Sequence, residues 1–125
     1  MKIINNLDKA PKAVGTYSQA ALVGGVYYFS GQIGLDPETM TLKEGFQAQL
    51  DQVMSNIDAC LEESGLTRQN IFKTTIFLKD LGNFSKVNEA YINFFSAPFP
   101  ARSCVEASAL PKGALVEIEV MATRG

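Results

Sequence analysis

Apolar positions in this chain repeat with two different periods, and the changes of period mark out its elements. Residues 2 to 6, "KIINN", can open an edge strand, while Ala20–Val23 and Val26–Ser30 are short apolar runs on either side of Gly24-Gly25. Two such runs around a two-residue glycine turn predict a β-hairpin. The stretch "GQIGLDPETMTLKEG" that follows, glycine-rich with Pro37 inside it, reads as a loop. From Phe46 the spacing lengthens. Phe46, Leu50, Val53, Ile57 and Leu61 recur every three or four residues, the stripe of an amphipathic helix, and Gly65 is its natural stop.

The period returns to two in "NIFKTTIFLKD", residues 70 to 80, a β-branched and aromatic run that places Phe72, Thr74, Ile76 and Leu78 on one face of a strand. Phe84, Val87, Tyr91 and Phe94 then give a second helix over residues 84 to 95, with Asn83 as candidate N-cap and the prolines of "SAPFP" as its end. Two strands close the chain, residues 101 to 107 and 115 to 123. The order β-β-β-α-β-α-β-β predicts one α+β domain over residues 1–125, a two-layer sandwich with both helices on one face of the sheet. The other face is left for water, a ligand or another subunit.

Composition removes much chemistry. The 125 residues contain no histidine, which excludes Ser-His-Asp and Cys-His pairs, HExxH zinc sites and imidazole acid–base catalysis. No dinucleotide, P-loop or EF-hand motif is present, and Cys60 and Cys104 stand too far apart in sequence to suggest a zinc site. A net charge of −2 argues against nucleic acid as partner. The absence of an export-type h-region and of any long apolar run leads to the expectation of a cytoplasmic protein with free thiols and no membrane contact. Cys60, beside the first helical stripe, reads as a small buried hydrophobe.

Alternation in the last two strands assigns candidate chemistry to faces. Val116, Ile118, Val120 and Ala122 form a purely apolar set that should meet the helices, leaving Glu117 and Glu119 outward, about 7 Å apart from the strand rise. In "ARSCVEA", the small and apolar set Ala101, Ser103, Val105 and Ala107 takes the core side on the same logic. Arg102 and Cys104 then join the two glutamates on the outer face. Two readings stay open for Arg102: a cross-strand ion pair with Glu117 or Glu119, or a bidentate hook for a ligand carboxylate beside a glutamate-held water. Cys104 has no histidine to activate it, and nearby acids would raise its pKa.

"PARSCVEASALPKGALVEI", residues 100 to 118, closely resembles the signature of the RidA/YjgF family of reactive-intermediate deaminases. "GTYSQA", "FSGQIG", "KTTIFLKDL" and "KVNEAY" extend the resemblance over almost the whole chain, in order. It implies a chorismate-mutase-like fold and a homotrimer with active sites between subunits. The implied reaction is hydrolysis of 2-imino acids, such as 2-iminopropanoate and 2-iminobutanoate, to 2-keto acids and ammonia without metal or organic cofactor. Carried over by residue, Arg102 would bind the substrate carboxylate and Glu117 would orient the attacking water. The backbone around Cys104, Ser30 and Gly31 would contact the imine, and Tyr17 and Asn88 would line the cleft. Thr16 stands where many members carry proline, and "FSAPFPARS" is a short connection, so the cleft rim and substrate size are where this chain would differ. A ribonuclease or translation inhibitor, and a non-enzymatic 2-keto acid binding module, are the alternative functions.

Overall fold

The alternation in the last strand sets the core. A computed structural model describes all residues from 1 to 125, and in it Val116, Ile118, Val120 and Ala122 are buried beneath two helices. The strands are β1 (Lys2–Ile4), β2 (Ala20–Val23), β3 (Val26–Phe29), β4 (Ile71–Leu78), β5 (Ala101–Glu106) and β6 (Val116–Thr123). The helices are α1 (Phe46–Glu63) and α2 (Phe84–Phe94). One mixed sheet runs in the order β1-β2-β3-β6-β4-β5. Every pairing is antiparallel except β4 with β5, which α2 connects as a crossover. The α+β expectation holds. No helix is long and apolar enough to cross a membrane.

Local sequence explains most boundaries. Gly24 and Gly25 both take positive φ, 55° and 80°, as the tight turn pairing Val23 with Val26 requires. At the C-terminus of α1, Gly65 sits at φ 71°, its N–H donating to the Glu62 carbonyl at 3.1 Å while Leu66 N–H reaches back to Leu61 at 2.8 Å. That pair of bonds is a Schellman ending, and only the glycine makes the left-handed step cheap. The entry to α2 differs from expectation. Asn83 makes no capping bond; instead Asp80 accepts from Gly82 N–H at 2.8 Å, and a 3-10 turn over Leu81–Asn83 feeds the helix. Winding therefore begins one turn earlier than the apolar stripe. The helix also stops at Phe94, with Phe95 extended.

The face assignment within β4 needs one correction. A bulge between Ile71 and Lys73 shifts the register against β6, so Ile71 is buried and Phe72 is exposed, while Thr74, Ile76 and Leu78 keep the core side. Ile76 is the centre of the sheet, fully buried and flanked by Ile118 on one side and Cys104 on the other. We expect Ile76→Ala to cost about 2–5 kcal/mol through the cavity it leaves, read as a lower denaturation midpoint at unchanged slope.

Buried amides do the rest. Gln49 and Asn56 lie on the core side of α1, where the spacing alone would call for apolar residues. Gln49 donates to the Lys43 carbonyl at 3.0 Å and accepts from Leu115 N–H at 2.8 Å. Asn56 donates to the carbonyls of Ile33 and Leu35 at 3.2 and 2.9 Å. These bonds satisfy the irregular backbone of residues 31 to 45 from inside, and so hold that loop against the end of β6. Gly34 completes the contact: a Cβ there would lie 2.7 Å from the Gln49 Cα.

Candidate active site

β5 is the edge of the sheet, and its pairing decides where Arg102 points. In the parallel ladder Thr74 stands beside Arg102, Ile76 beside Cys104 and Leu78 beside Glu106. Laterally paired residues share a face, and Thr74, Ile76 and Leu78 are the buried, helix-facing set. Arg102 and Cys104 therefore lie on the helix side, and Ala101, Ser103 and Val105 on the open side. This reverses the expected assignment. Alternation misleads here because β5 packs on one neighbour only and is exposed along most of its length, so its small residues carry no imprint of the core.

The Arg102 environment belongs to α2. Its Nη1 donates to Asn88 Oδ1 at 2.7 Å, and the guanidinium carbon lies 4.9 Å from the Phe84 ring centre and 5.3 Å from that of Tyr91. Phe84 and Tyr91, which the helical stripe marks simply as core, thus form an aromatic platform under a cation. Tyr91 is itself tied down: its hydroxyl donates to Thr74 Oγ1 at 2.8 Å, and burial pushes its pKa up to about 12. Arg102 forms no ion pair, since the three salt bridges are Lys9–Glu62, Lys43–Asp36 and Arg68–Asp58. Arg102 also lines an open recess of about 380 Å³, together with Asn88, Tyr91, Ile92, Phe99 and Pro100. Cys104 packs against the core from the same side. Burial raises its pKa and Arg102 opposes the rise; the glutamates play no part, being on the opposite face.

The second group of site residues occupies that opposite face. Glu117 and Glu119 stand beside Phe77 and Thr75 across β4, on the side without helices. Glu117 is half-buried and its pKa is raised, first by burial and then by the Glu119 charge. Gly31 lies directly beneath it. A Cβ at Gly31 would overlap the Glu117 carboxylate and stand 3.0 Å from its Cδ, so any larger residue would push the acid out of this position. Next to Gly31, Gln32 exchanges backbone bonds with Ile118 at 2.9 and 3.1 Å, which locks this short segment to β6. Ser30 Oγ donates to the Ser18 carbonyl and Ser30 N–H to that of Gln19, at 2.5 and 2.9 Å, bringing the Tyr17 segment alongside. Tyr17 itself is exposed.

Gln19 is the residue that sequence reasoning passed over. Though buried, it accepts from Leu7 N–H at 2.8 Å and donates to the carbonyls of Leu7 and Pro11 at 3.0 and 2.9 Å. It thereby positions the loop bearing Tyr17. The available signal was an amide directly before an apolar strand, the same kind of signal as Gln49 and Asn56 on α1.

The candidate residues thus fall into two groups: Arg102, Asn88 and Cys104 on the helix side, and Glu117, Gly31 and Ser30 on the open side with Tyr17 at their margin. No three Cys, Asp or Glu side chains converge as a metal-ligating group. The first group offers charged donors to an anion on an aromatic bed, and the second offers a carboxylate beside bare backbone. Residues 7–124 match the family described as Endoribonuclease L-PSP, the grouping that contains RidA and YjgF. The chain belongs to the RidA/YjgF family. Among its RidA/YjgF relatives, a RutC family protein of Aquifex aeolicus is 48% identical over 118 residues, covering 93% of this chain and 94% of its own. The human 2-iminobutanoate/2-iminopropanoate deaminase is 44% identical over 118 residues, 94% of this chain and 86% of the human protein. The crystal structure of RidA from an Antarctic Psychrobacter superposes with a TM-score of 0.90 at 51% identity, over 93% of this chain and 94% of that one.

Proposed function

We propose that this RidA/YjgF chain hydrolyses 2-imino acids to 2-keto acids and ammonia. Its sites would be completed between subunits of a homotrimer, Arg102 coming from one subunit and Glu117 from the next. One observation carries the reading: a cation free to take a carboxylate and an acid fit to hold a water lie on opposite faces of one sheet. No small substrate touches both within a single chain. The open face supports assembly, since Ile3, Val23, Tyr28 and Val105 leave it substantially apolar and exposed. Similarity to the human deaminase supports the choice of substrate class.

The chemistry asks little of the protein. Arg102 holds the substrate carboxylate with two parallel N–H bonds. Glu117 of the neighbouring subunit accepts a proton from water as the oxygen adds to C2 of the iminium, giving a carbinolamine. The acid returns that proton to nitrogen, the C–N bond breaks, and ammonia leaves as the carbinol hydroxyl gives its own proton to the regenerated Glu117 carboxylate and becomes the carbonyl. Imines are reactive electrophiles, so fixing substrate and water in line supplies much of the acceleration. Cys104 stays a thiol at neutral pH and contributes backbone. The net charge of −2 and two unpaired glutamates on the open face weigh against an RNA substrate for this surface.

The test is keto acid release from an imine generated in place by an amino-acid oxidase, with and without the protein. Acceleration is expected, and its absence, with 2-keto acid binding intact, would mean a binding module instead. The pH profile adds a second check. Glu117 acts as the carboxylate, and burial plus Glu119 raise its pKa. kcat/KM should therefore fall as pH drops through a value above the ordinary glutamate range. Glu119→Gln removes the like charge and should move that acid limb to lower pH.

A further inference from the structure

We propose that Ile92 and Phe99 select the substrate's side chain, favouring 2-imino acids with branched or aromatic groups over those with acidic ones. The inference rests on the imine-hydrolase reading and concerns the wall of the same recess. Of the groups lining the space in front of Arg102, Tyr91, Ile92, Phe99 and Pro100 are apolar or present ring surface, and Arg102 is the only charge. Ile92 and Phe99 are 68% and 53% exposed, so both present apolar surface to the recess. Asn88 gives its oxygen to Arg102, and the Tyr91 hydroxyl is committed to Thr74. Apart from Arg102, which takes the substrate carboxylate, this chain supplies no charged group there, and the neighbour's Glu117 would disfavour an acidic side chain.

Size points the same way. The recess holds about 380 Å³, within the range of roughly 300–1,000 Å³ typical of small-molecule sites. Ile92 and Pro100 also line an adjoining cavity of about 830 Å³, so a long side chain has room to extend past them; Arg68, the one charged residue lining that cavity, is already paired with Asp58. A carboxylate on Arg102 leaves the substrate's other end to lie on this apolar wall, where each added methylene gains affinity by exclusion from water. An acidic side chain placed there would give up part of its hydration and find no free cation.

Imines made in place from alanine, leucine, phenylalanine and glutamate supply the test, read as ratios of kcat/KM. With wild-type protein the leucine and phenylalanine imines should exceed the glutamate imine. Ile92→Ala and Phe99→Ala should each lower the leucine-to-alanine ratio about tenfold, the scale set by removing apolar contact from a side-chain pocket. Ile92→Lys should raise the glutamate-to-leucine ratio by giving the acid a partner. Both positions lie at the surface, so the fold should survive, and circular dichroism would verify it. Ratios within twofold of wild type in every variant, with wild type active, would overturn the selection by these residues alone. A wild-type protein that accelerates none of the four imines would overturn the underlying reading and this inference with it.

Discussion

Arg102→Ala should lower kcat/KM for imine hydrolysis by at least about a hundredfold, the cost of losing a bidentate charged contact that also orients the reacting carbon. The loss should exceed what the fold alone would explain. Arg102 is exposed, makes no ion pair, and gives only one hydrogen bond within the chain, to Asn88. Thermal stability should therefore change little while activity collapses. Arg102→Lys is the sharper comparison. It keeps the charge but loses the planar fork and much of its stacking on Phe84 and Tyr91, so it should recover only a small part of the rate. Measured KM should rise in both variants, and a 2-keto acid should bind more weakly by calorimetry. If Arg102→Ala retained wild-type turnover, the carboxylate hook would have to be sought elsewhere.

Mixing two inactive proteins should restore activity. Arg102 and Glu117 stand on opposite faces, so a site assembled between subunits takes one residue from each. Arg102→Ala chains still carry Glu117, and Glu117→Gln chains still carry Arg102. When the two are unfolded together and reassembled in equal amounts, about a quarter of the sites should pair an intact Arg102 with an intact Glu117. Activity should then rise from near background to about a quarter of wild type, and separate refolding followed by mixing should give much less. A site built within one chain predicts no recovery at all. Glu117→Gln should also be no less stable than wild type. Its folded-state pKa is raised, so ionised Glu117 opposes folding as pH climbs through that range, and the amide removes the penalty.

How much of this was legible in the sequence depended on whether a residue's neighbours were periodic. α1 and β6 pack a regular stripe on a regular face, so their buried sets could be read directly from spacing. Phe72 could not, because the bulge that turns it outward is a property of the β4–β6 register. Nor could the side of Arg102. A central strand is imprinted on both faces by what it packs against, whereas β5 meets one strand and a few α2 side chains. Its apparent core residues Ala101, Ser103 and Val105 are merely small or exposed. Alternation put Arg102 and Glu117 on one face and the resemblance put them in one site, whereas the strand register sets them on opposite faces. Gln19, Gln49 and Asn56 show the opposite failure: they were visible as polar residues at apolar positions, yet the irregular backbone they support could not be seen from spacing.

The strand that carries Arg102 is also the outer strand of its sheet, with β4 on one side only. A chain released from the ribosome alone would display this free ladder edge next to an apolar, uncovered sheet face. Such surfaces attract one another without discrimination. Finding the correct partners would then protect against aggregation as well as completing a catalytic cleft. Variants that weaken assembly should be recognised first by precipitation in the cell, before any loss of turnover is measured.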